Sequence, residues 1–137
     1  MRSPLLLCLP VLLGGCSLLM PFHDPAQAWI ELHERQDGRL EAVQVDGKTL
    51  DDGRYFQISP GRHELQVRLR FEVAPANTGA QQSLPRTCLL TLDYADFAAG
   101  QRYRLKAGSR GFRPWAQLQD ERGEDLARAR EGRCGAV

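Results

Sequence analysis

The clearest pattern along the chain is a strict alternation of apolar and polar residues over positions 63–73. Successive side chains of a β-strand point to opposite faces, so this period of two predicts a strand with one buried face. The positions predicted to face the core are His63, Leu65, Val67, Leu69, Phe71 and Val73. Residues 87–95 and 102–107 alternate in the same way, and we predict strands there as well.

Weaker alternation predicts four further strands, over residues 29–34, 40–45, 55–58 and 115–119. Turn-forming pairs such as Asp46-Gly47 and Pro60-Gly61 separate these segments. Short strands at this spacing predict an all-β fold, a small antiparallel β-sandwich or barrel of about seven strands. We also predict one long, mobile loop over residues 74–86 and one or two helical turns over residues 124–130.

The first residues of the chain have a different character. Arg2 precedes an apolar stretch of roughly ten residues, whereas a membrane-spanning helix needs about 20. The stretch ends in Leu13-Gly14-Gly15-Cys16, which resembles the lipobox of bacterial lipoproteins. In that family the cysteine is diacylated and becomes the first residue after cleavage. The resemblance implies a signal peptide over residues 1–15 and a membrane anchor through lipid on Cys16.

The lipobox resemblance also implies a location. Ser17, rather than Asp, follows the cysteine, which by lipoprotein sorting implies the outer membrane, facing the periplasm, rather than the inner membrane. Residues 16–27 contain two prolines and no periodicity, so we predict a lipidated tether before a single domain over residues 28–137. The alternative is a secretory signal cut at Ala26-Gln27-Ala28, with the polar pair His23-Asp24 in the cleavage region.

A second resemblance lies in residues 43–48, V-Q-V-D-G-K, and 58–67, I-S-P-G-R-H-E-L-Q-V. These stretches are similar to a PEGA-type β module, in which a V-D-G-K hairpin leads to a P-G-x-H-x-L-x-V strand. Similar stretches occur in proteobacterial lipoproteins. The resemblance implies a small, surface-exposed β fold without catalytic activity.

Length and charge restrict the classes of function. The 137 residues suit one domain and leave no room for a second substrate domain. The formal net charge is +1 and falls to zero when Arg2 leaves with the signal peptide. A dedicated nucleic-acid binder normally carries a strong basic excess, so we expect no nucleic-acid partner.

The four cysteines divide by role. Cys8 leaves with the signal peptide and Cys16 takes the lipid, so Cys88 and Cys134 remain as an even pair in an oxidising periplasm. We expect them to form a disulfide that holds the end of the chain to the sheet. Two free thiols with a redox role are the alternative, although no C-x-x-C motif is present.

Basic residues cluster although the total charge is near zero. No acidic residue occurs between Asp96 and Asp120. If the strand over 63–73 and the strand over 102–107 are neighbours, they form one cationic face for lipid headgroups, lipopolysaccharide phosphates or an acidic partner. The candidate contact residues are Arg68, Arg70, Arg102, Arg104 and Lys106. The alternative is that these side chains cover exposed sheet and pair with Glu64 and Glu72.

Residues with catalytic or ligand chemistry are few. The three histidines show no metal-binding spacing, so we expect no metal or cofactor, and His63 to bond a backbone carbonyl at the core edge. Residues 107–111, A-G-S-R-G, lack the first glycine of G-x-S-x-G and predict a hairpin loop. Trp29 and Trp115 are expected to cover the core or a sheet edge, sugar stacking being the alternative. No nucleophile–base constellation, and hence no catalytic residue or small-molecule substrate, is apparent.

These observations predict a lipid-anchored periplasmic protein that acts as a non-enzymatic interaction or assembly module, with an envelope protein as its partner. The alternative is an inhibitor of a hydrolase. Small, disulfide-closed lipoproteins of the lysozyme-inhibitor type are β-barrels of this size, although no inhibitory loop motif is evident in this chain.

Overall fold

A computed structural model describes residues 23–33, 38–51, 53 and 55–137. The predicted signal peptide, the residues that resemble a lipobox, and Cys16 lie outside the described residues. Ten strands and one short helix are described, against about seven strands predicted. They are β1 (Ala28–His33), β2 (Gly38–Val45), β3 (Lys48–Thr49), β4 (Tyr55–Ile58), β5 (Gly61–Val73), α1 (Pro75–Thr78), β6 (Leu84–Phe97), β7 (Arg102–Arg110), β8 (Arg113–Gln119), β9 (Asp125–Arg128) and β10 (Arg130–Cys134).

The strands form two open sheets, which confirms the predicted all-β class and fits a sandwich. Sheet A has the order β4-β1-β7-β8-β9, and sheet B has the order β10-β6-β5-β2-β3. β1 and β7 run parallel, whereas the other pairs are antiparallel. The inner faces of the two sheets contribute to one hydrophobic core.

The alternation of the three strongest segments is confirmed. On β5, the residues at 65, 67, 69, 71 and 73 are at most 4% exposed, and the side chains between them point outward. Leu65 lies opposite Leu92 and Val67 opposite Leu90, so apolar side chains of β5 and β6 meet on one face. Fully burying one such side chain stabilises the fold by about 1.5–3 kcal/mol, which makes this alternation the main determinant of the strand.

The prediction of one loop over residues 74–86 is wrong at both ends. β6 begins at Leu84, and Leu84 pairs with Val73 of β5. The helix α1 occupies the start of the remaining connection. Pro85 breaks the strand pattern in the sequence, but it is the second residue of β6 and lies beyond the end of β10, where a residue without a backbone N–H is tolerated.

The predicted helical turns over residues 124–130 are also wrong, because β9 and β10 occupy this segment. Ala127 of β9 pairs with Leu118 of β8. The chain then changes sheets at Ala129, whose N–H donates to the carbonyl of Ala116 over 3.0 Å. Ala, Leu and Arg favour a helix locally, but the backbone groups at the open edge of each sheet gain partners only if this segment is extended.

The predicted disulfide between Cys88 and Cys134 is present. The two residues are direct partners in the β6–β10 pair. Cys88 is fully buried, whereas the first four residues of β10 are exposed. The bond therefore holds a strand that buries little surface of its own against the edge of sheet B.

The chain enters the domain through a docked turn. The backbone N–H of Gln27 donates to the carbonyl of Asp24, and the N–H of Gly100 donates to the carbonyl of Gln27. The N–H of Asp24 also donates to Oε1 of Gln57 over 2.6 Å. The last residues of the predicted tether are thus fixed to the domain. We call this side, where β1 and β7 begin, the entry end, and the opposite side, where β7 turns into β8, the hairpin end.

Candidate functional site

Basic side chains outnumber acidic ones on the outer face of sheet A. Its register-paired, outward-pointing residues include six basic and two acidic side chains. The basic ones are Arg102, Arg104, Lys106, Arg110, Arg113 and Arg128. The acidic ones are Glu31 and Asp125. Three of the predicted contact residues therefore lie on one cationic face, together with three arginines that the sequence analysis did not select as contacts.

Arg68 and Arg70 lie elsewhere, because β5 belongs to sheet B and β7 to sheet A. The condition for one face with all five predicted contact residues is therefore not met. The partner of Arg68 is Glu41 of the neighbouring β2, with 3.3 Å between Nη1 and Oε2, rather than Glu64 or Glu72. Alternation within a strand predicts which side chains point outward. It does not predict which sheet the strand joins, so it could not show that β5 and β7 lie in different sheets.

The outer face of sheet B is balanced. It carries four basic and four acidic register-paired side chains. They are Arg39, Arg68, Arg70 and Arg130, and Glu41, Glu64, Glu72 and Asp93. Arg130 pairs with Asp93 over 3.0 Å, and Glu72 accepts a hydrogen bond from Ser83. The two signs are therefore equal in number on this face, although Arg39 lies directly opposite Arg70 and neither takes part in an ion pair among the described residues.

The entry half of sheet A is also partly neutralised. Arg102 lies 3.9 Å from Glu31, and both line a groove of about 220 Å³. Arg104, Asp120 and Glu121 line the same groove, so acidic and basic groups alternate around it. The positive potential of this half is consequently reduced.

The hairpin half of sheet A has no such compensation. Within the part of the chain that the structure describes, Lys106, Arg110, Arg113 and Arg128 take part in no ion pair. Asp125 lies in the entry half, because it pairs with Gln119, which pairs with Arg104, and it accepts hydrogen bonds from the amides of Gln117 and Gln119. Positive potential therefore concentrates toward the hairpin end.

Arg110 and Arg113 are direct cross-strand partners on either side of the β7–β8 turn. Gly111 takes a φ of 58° in the first position of this two-residue turn, which glycine allows without strain. The strand β7 continues to Arg110, so the predicted hairpin loop over residues 107–111 is shorter than expected. Like charges directly opposite each other destabilise a sheet, so this pair has a cost for folding.

A groove of about 360 Å³ opens beside these arginines, between β8 and the crossing from β9 to β10. We call it the arginine groove. Its lining includes Arg110, Arg113, Trp115, Gln117, Arg128 and Glu131. Three of these side chains are cationic and one is acidic, and the half-buried indole of Trp115 provides apolar surface among them.

The structure also brings together a serine, a histidine and an aspartate that the sequence analysis did not connect. Nδ1 of His63 lies 2.5 Å from Oδ2 of Asp46, and Nε2 of His63 lies 3.2 Å from Oγ of Ser59. The order of contacts is that of a catalytic triad. Whether the cluster contains a nucleophile and a base depends on the contacts of His63.

The contacts of His63 do not favour catalysis by this cluster. Nε2 lies 2.7 Å from the carbonyl oxygen of Ser59, closer than the 3.2 Å to the hydroxyl. The backbone carbonyl predicted as a partner of His63 is therefore present. Because this carbonyl competes with the Ser59 hydroxyl for Nε2, the nearest contact of the ring nitrogen is not the nucleophile that triad chemistry requires.

The cluster instead joins the two stretches that resemble a PEGA module. Asp46 stands in the β2–β3 turn with a φ of 49°, and its Oδ1 accepts the N–H of Glu64 at the start of β5. That backbone hydrogen bond, followed by the hydrogen bond from His63, holds the pKa of the Asp46 carboxyl below its usual value of 3.8. The spacing of V-D-G-K and P-G-x-H was the available signal for this contact.

Other ligand chemistry is sparse in the described ranges. No group of three or more His, Cys, Asp or Glu side chains there is arranged to hold a metal ion. Likewise, none of the helices described is long and apolar enough to cross a membrane. No protein family matches the chain, and neither a curated protein nor a solved structure is similar to it. The charge and shape of the surface are therefore the features of the molecule that bear on its function.

Proposed function

We propose that this protein is a lipid-anchored, non-enzymatic interaction module of the cell envelope, and that the outer face of sheet A binds an acidic partner. The observation that carries the proposal is the charge difference between the two outer faces, six basic against two acidic side chains on sheet A and four against four on sheet B. A surface with one excess sign raises the association rate and the selectivity for a partner of the opposite sign.

The anchor is supported by the lipobox sequence, and the fold suits it. A fully extended chain spans at most about 3.6 Å per residue, so the docked Asp24 lies within about 30 Å of an anchor at Cys16. β7 then runs nine residues from the entry end to the hairpin end, a distance of about 30 Å. The uncompensated arginines are thus at the end of the domain away from its attachment, where a periplasmic partner has access.

Metabolic labelling with an alkyne fatty acid tests the anchor. We expect Cys16→Ser to abolish the label and release the protein into the soluble periplasmic fraction, because one acyl chain contributes about 0.8 kcal/mol per buried CH₂. Cys8→Ser is the matched control and should keep both the label and the membrane fraction. Label on the Cys16→Ser protein, or none on the native protein, contradicts the anchor.

Capture of partners from detergent-solubilised envelopes tests the binding face. The variant Arg104→Gln/Lys106→Gln/Arg110→Gln removes three charges from sheet A, and Arg39→Gln/Arg68→Gln/Arg70→Gln removes three from sheet B. We expect the first variant to lose the partner and the second to keep it, with weaker capture by the native protein at high salt. Equal capture by both variants contradicts the proposal.

The same experiment addresses the hydrolase-inhibitor alternative. Lysozyme added to the extract would be captured by an inhibitor, and the captured enzyme would lose activity. An envelope component retained in the absence of lysozyme binding supports the interaction module. Selective and stoichiometric retention of lysozyme supports the inhibitor instead.

A further inference from the structure

The arginine groove combines features that together select a ligand. It lies where β9 leaves sheet A, at the hairpin end, away from the entry turn. Its volume of about 360 Å³ falls within the range of small-ligand sites, roughly 300–1,000 Å³. The groove is open to solvent along the edge of β8, so a ligand reaches it without a rearrangement of the fold.

The cationic side chains of the groove have a cost that a bound anion would remove. Arg110 and Arg113 face each other across the hairpin, and Arg128 joins them from β9. None of the three has an ion-pair partner among the described residues. Guanidinium groups bind carboxylate and phosphate through two parallel hydrogen bonds, so an oxyanion is the complementary ligand group.

The backbone at this edge disfavours a peptide that adds as a strand. Ala116 directs its carbonyl to Ala129 across the edge of β8, so Pro114, two residues earlier, has its backbone directed to the same edge. Proline has no N–H to donate, and proline at an open edge blocks the addition of a strand. Recognition in the groove therefore depends on side chains, which favours a ligand without a peptide backbone.

Two further side chains suit a sugar ring. The indole of Trp115 has a negative face that attracts the C–H groups of a pyranose. Glu131, the acid that lines the groove, accepts hydrogen bonds from hydroxyls but repels a bare anion. A ligand with both hydroxyls and an oxyanion satisfies Glu131 and the arginines together.

We propose that the arginine groove binds an anionic saccharide, with a sugar ring against Trp115 and a carboxylate or phosphate held by Arg113 and Arg128. This inference deepens the proposed function, because it names the chemistry of the acidic partner, and in that sense rests on it. The envelope supplies such groups as carboxylates on muramic acid and as phosphates on glucosamine. The two sources share the chemistry of an amino sugar that carries an oxyanion.

Calorimetric titration of the mature, lipidated protein in a sugar-free polyoxyethylene detergent tests the inference. The probes are N-acetylglucosaminyl-N-acetylmuramic acid, a glucosamine disaccharide bisphosphate, and neutral N,N′-diacetylchitobiose. We expect at least one anionic disaccharide to bind more tightly than the neutral one by about 10- to 100-fold, the contribution of hydrogen bonds to a charged group. The anionic disaccharide that binds identifies the source.

Variants identify the groove as the place of binding. Arg113→Gln/Arg128→Gln should weaken the anionic probe by about 10- to 100-fold, and Trp115→Ala should weaken it as well. Arg39→Gln/Arg70→Gln on sheet B is the matched control and should leave binding unchanged. Without ligand, Arg113→Gln should raise the melting temperature because it removes the like-charge pair, a result that a purely structural role for Arg113 does not give.

Failure of the inference differs from failure of the proposed function. Anionic disaccharides that bind no better than the neutral one, or that bind the Arg113→Gln/Arg128→Gln variant equally well, overturn the saccharide site even if envelope capture through sheet A succeeds. Binding of an anionic disaccharide that is lost in that variant supports the site even if the Cys16 anchor fails its own test.

Discussion

The outer faces of the two sheets differ in the balance between basic and acidic side chains. Sheet B pairs Arg68 with Glu41 and Arg130 with Asp93, whereas the hairpin half of sheet A holds its arginines without partners among the described residues. Exposed ion pairs contribute little to stability, so the balance on sheet B is mainly a way to cover a sheet with soluble side chains. Directly opposed arginines occur on both faces, Arg39 with Arg70 on sheet B and Arg110 with Arg113 on sheet A, but only on sheet A do basic side chains outnumber acidic ones. A net charge near zero for the whole chain therefore conceals one face with an excess.

The largest expected effect on stability comes from the disulfide, which links two strands of sheet B and none of sheet A. Cys88→Ala/Cys134→Ala should lower the free energy of unfolding by about 2–5 kcal/mol, because the disulfide constrains the unfolded chain across 46 residues and holds β10 to sheet B. Urea unfolding of the native and variant proteins without reductant measures the difference. With reductant the two proteins should become similar, and equal midpoints without reductant would contradict the role of the bond.

Removing the buried hydroxyl of Tyr103 tests sheet A at its entry end. The backbone N–H of Ala98 donates to this hydroxyl over 2.8 Å, so Tyr103→Phe should leave a donor unsatisfied and destabilise the fold by about 1–2 kcal/mol. Thermal unfolding measures the change. Binding at the hairpin end should be unaltered, and a loss of binding in a folded Tyr103→Phe protein would show that the two ends are not independent.

Asp46 tests whether a pair at the edge of sheet B does stabilise the fold. The Asp46 pKa is lowered in the folded protein, so the carboxylate contributes stability above its unfolded pKa of 3.8, and this is lost as the pH falls through the lower folded value. Asp46→Asn should cost about 1 kcal/mol at neutral pH, a small value because the side chain is half exposed. Unfolding from pH 7 to pH 3 should show the native and variant proteins converging below pH 3.8. If the two proteins still differ in free energy of unfolding at acid pH, the shape of the Asp46 side chain rather than its charge is responsible.

The smallest effects have opposite signs on the two faces. Arg110→Thr on sheet A should raise the free energy of unfolding by about 0.5 kcal/mol, because it removes a like-charge pair. Arg130→Thr on sheet B should lower it by about the same amount, because it removes the partner of Asp93. Calorimetric melting at low salt measures both, and high salt should reduce both. A stabilising effect at both positions would mean that the two faces do not differ.

The sequence predicted the parts of this fold that local periodicity determines. β5, β6 and β7 alternate strictly, and their buried faces are those expected. β9 and β10 were missed because they are short edge strands, and four of the five residues of β10 remain exposed. The disulfide followed from counting cysteines by compartment. Local pattern thus predicts elements and inner faces well when the buried face is continuous.

The candidate site could be predicted only in part, since it depends on which strand joins which sheet. Arg68 and Arg102 have similar neighbours along the chain but lie on different sheets. Trp115 and Arg128 meet in the arginine groove because β9 pairs with β8 before the chain crosses over. The contact between Asp46 and His63 likewise joins two hairpins. Each of these is a long-range pairing, and the sequence around either partner carries no periodic signal for it.

The parallel pairing of β1 with β7 has a consequence for the order of folding. Antiparallel β5 and β6 are joined by a short connection and can pair as soon as both are available, but β1 lies between β4 and β7 and needs a partner more than 60 residues later in the chain. Pairing β1 with β7 closes a long loop, and the chain loses conformational entropy before the contacts between the two strands stabilise the fold. This loss slows folding. Because the chain is synthesised N-terminus first, β5 and β6 of sheet B are able to pair while β1 of sheet A has β4 beside it but still lacks β7. The domain closes only after Arg102–Arg110 has emerged.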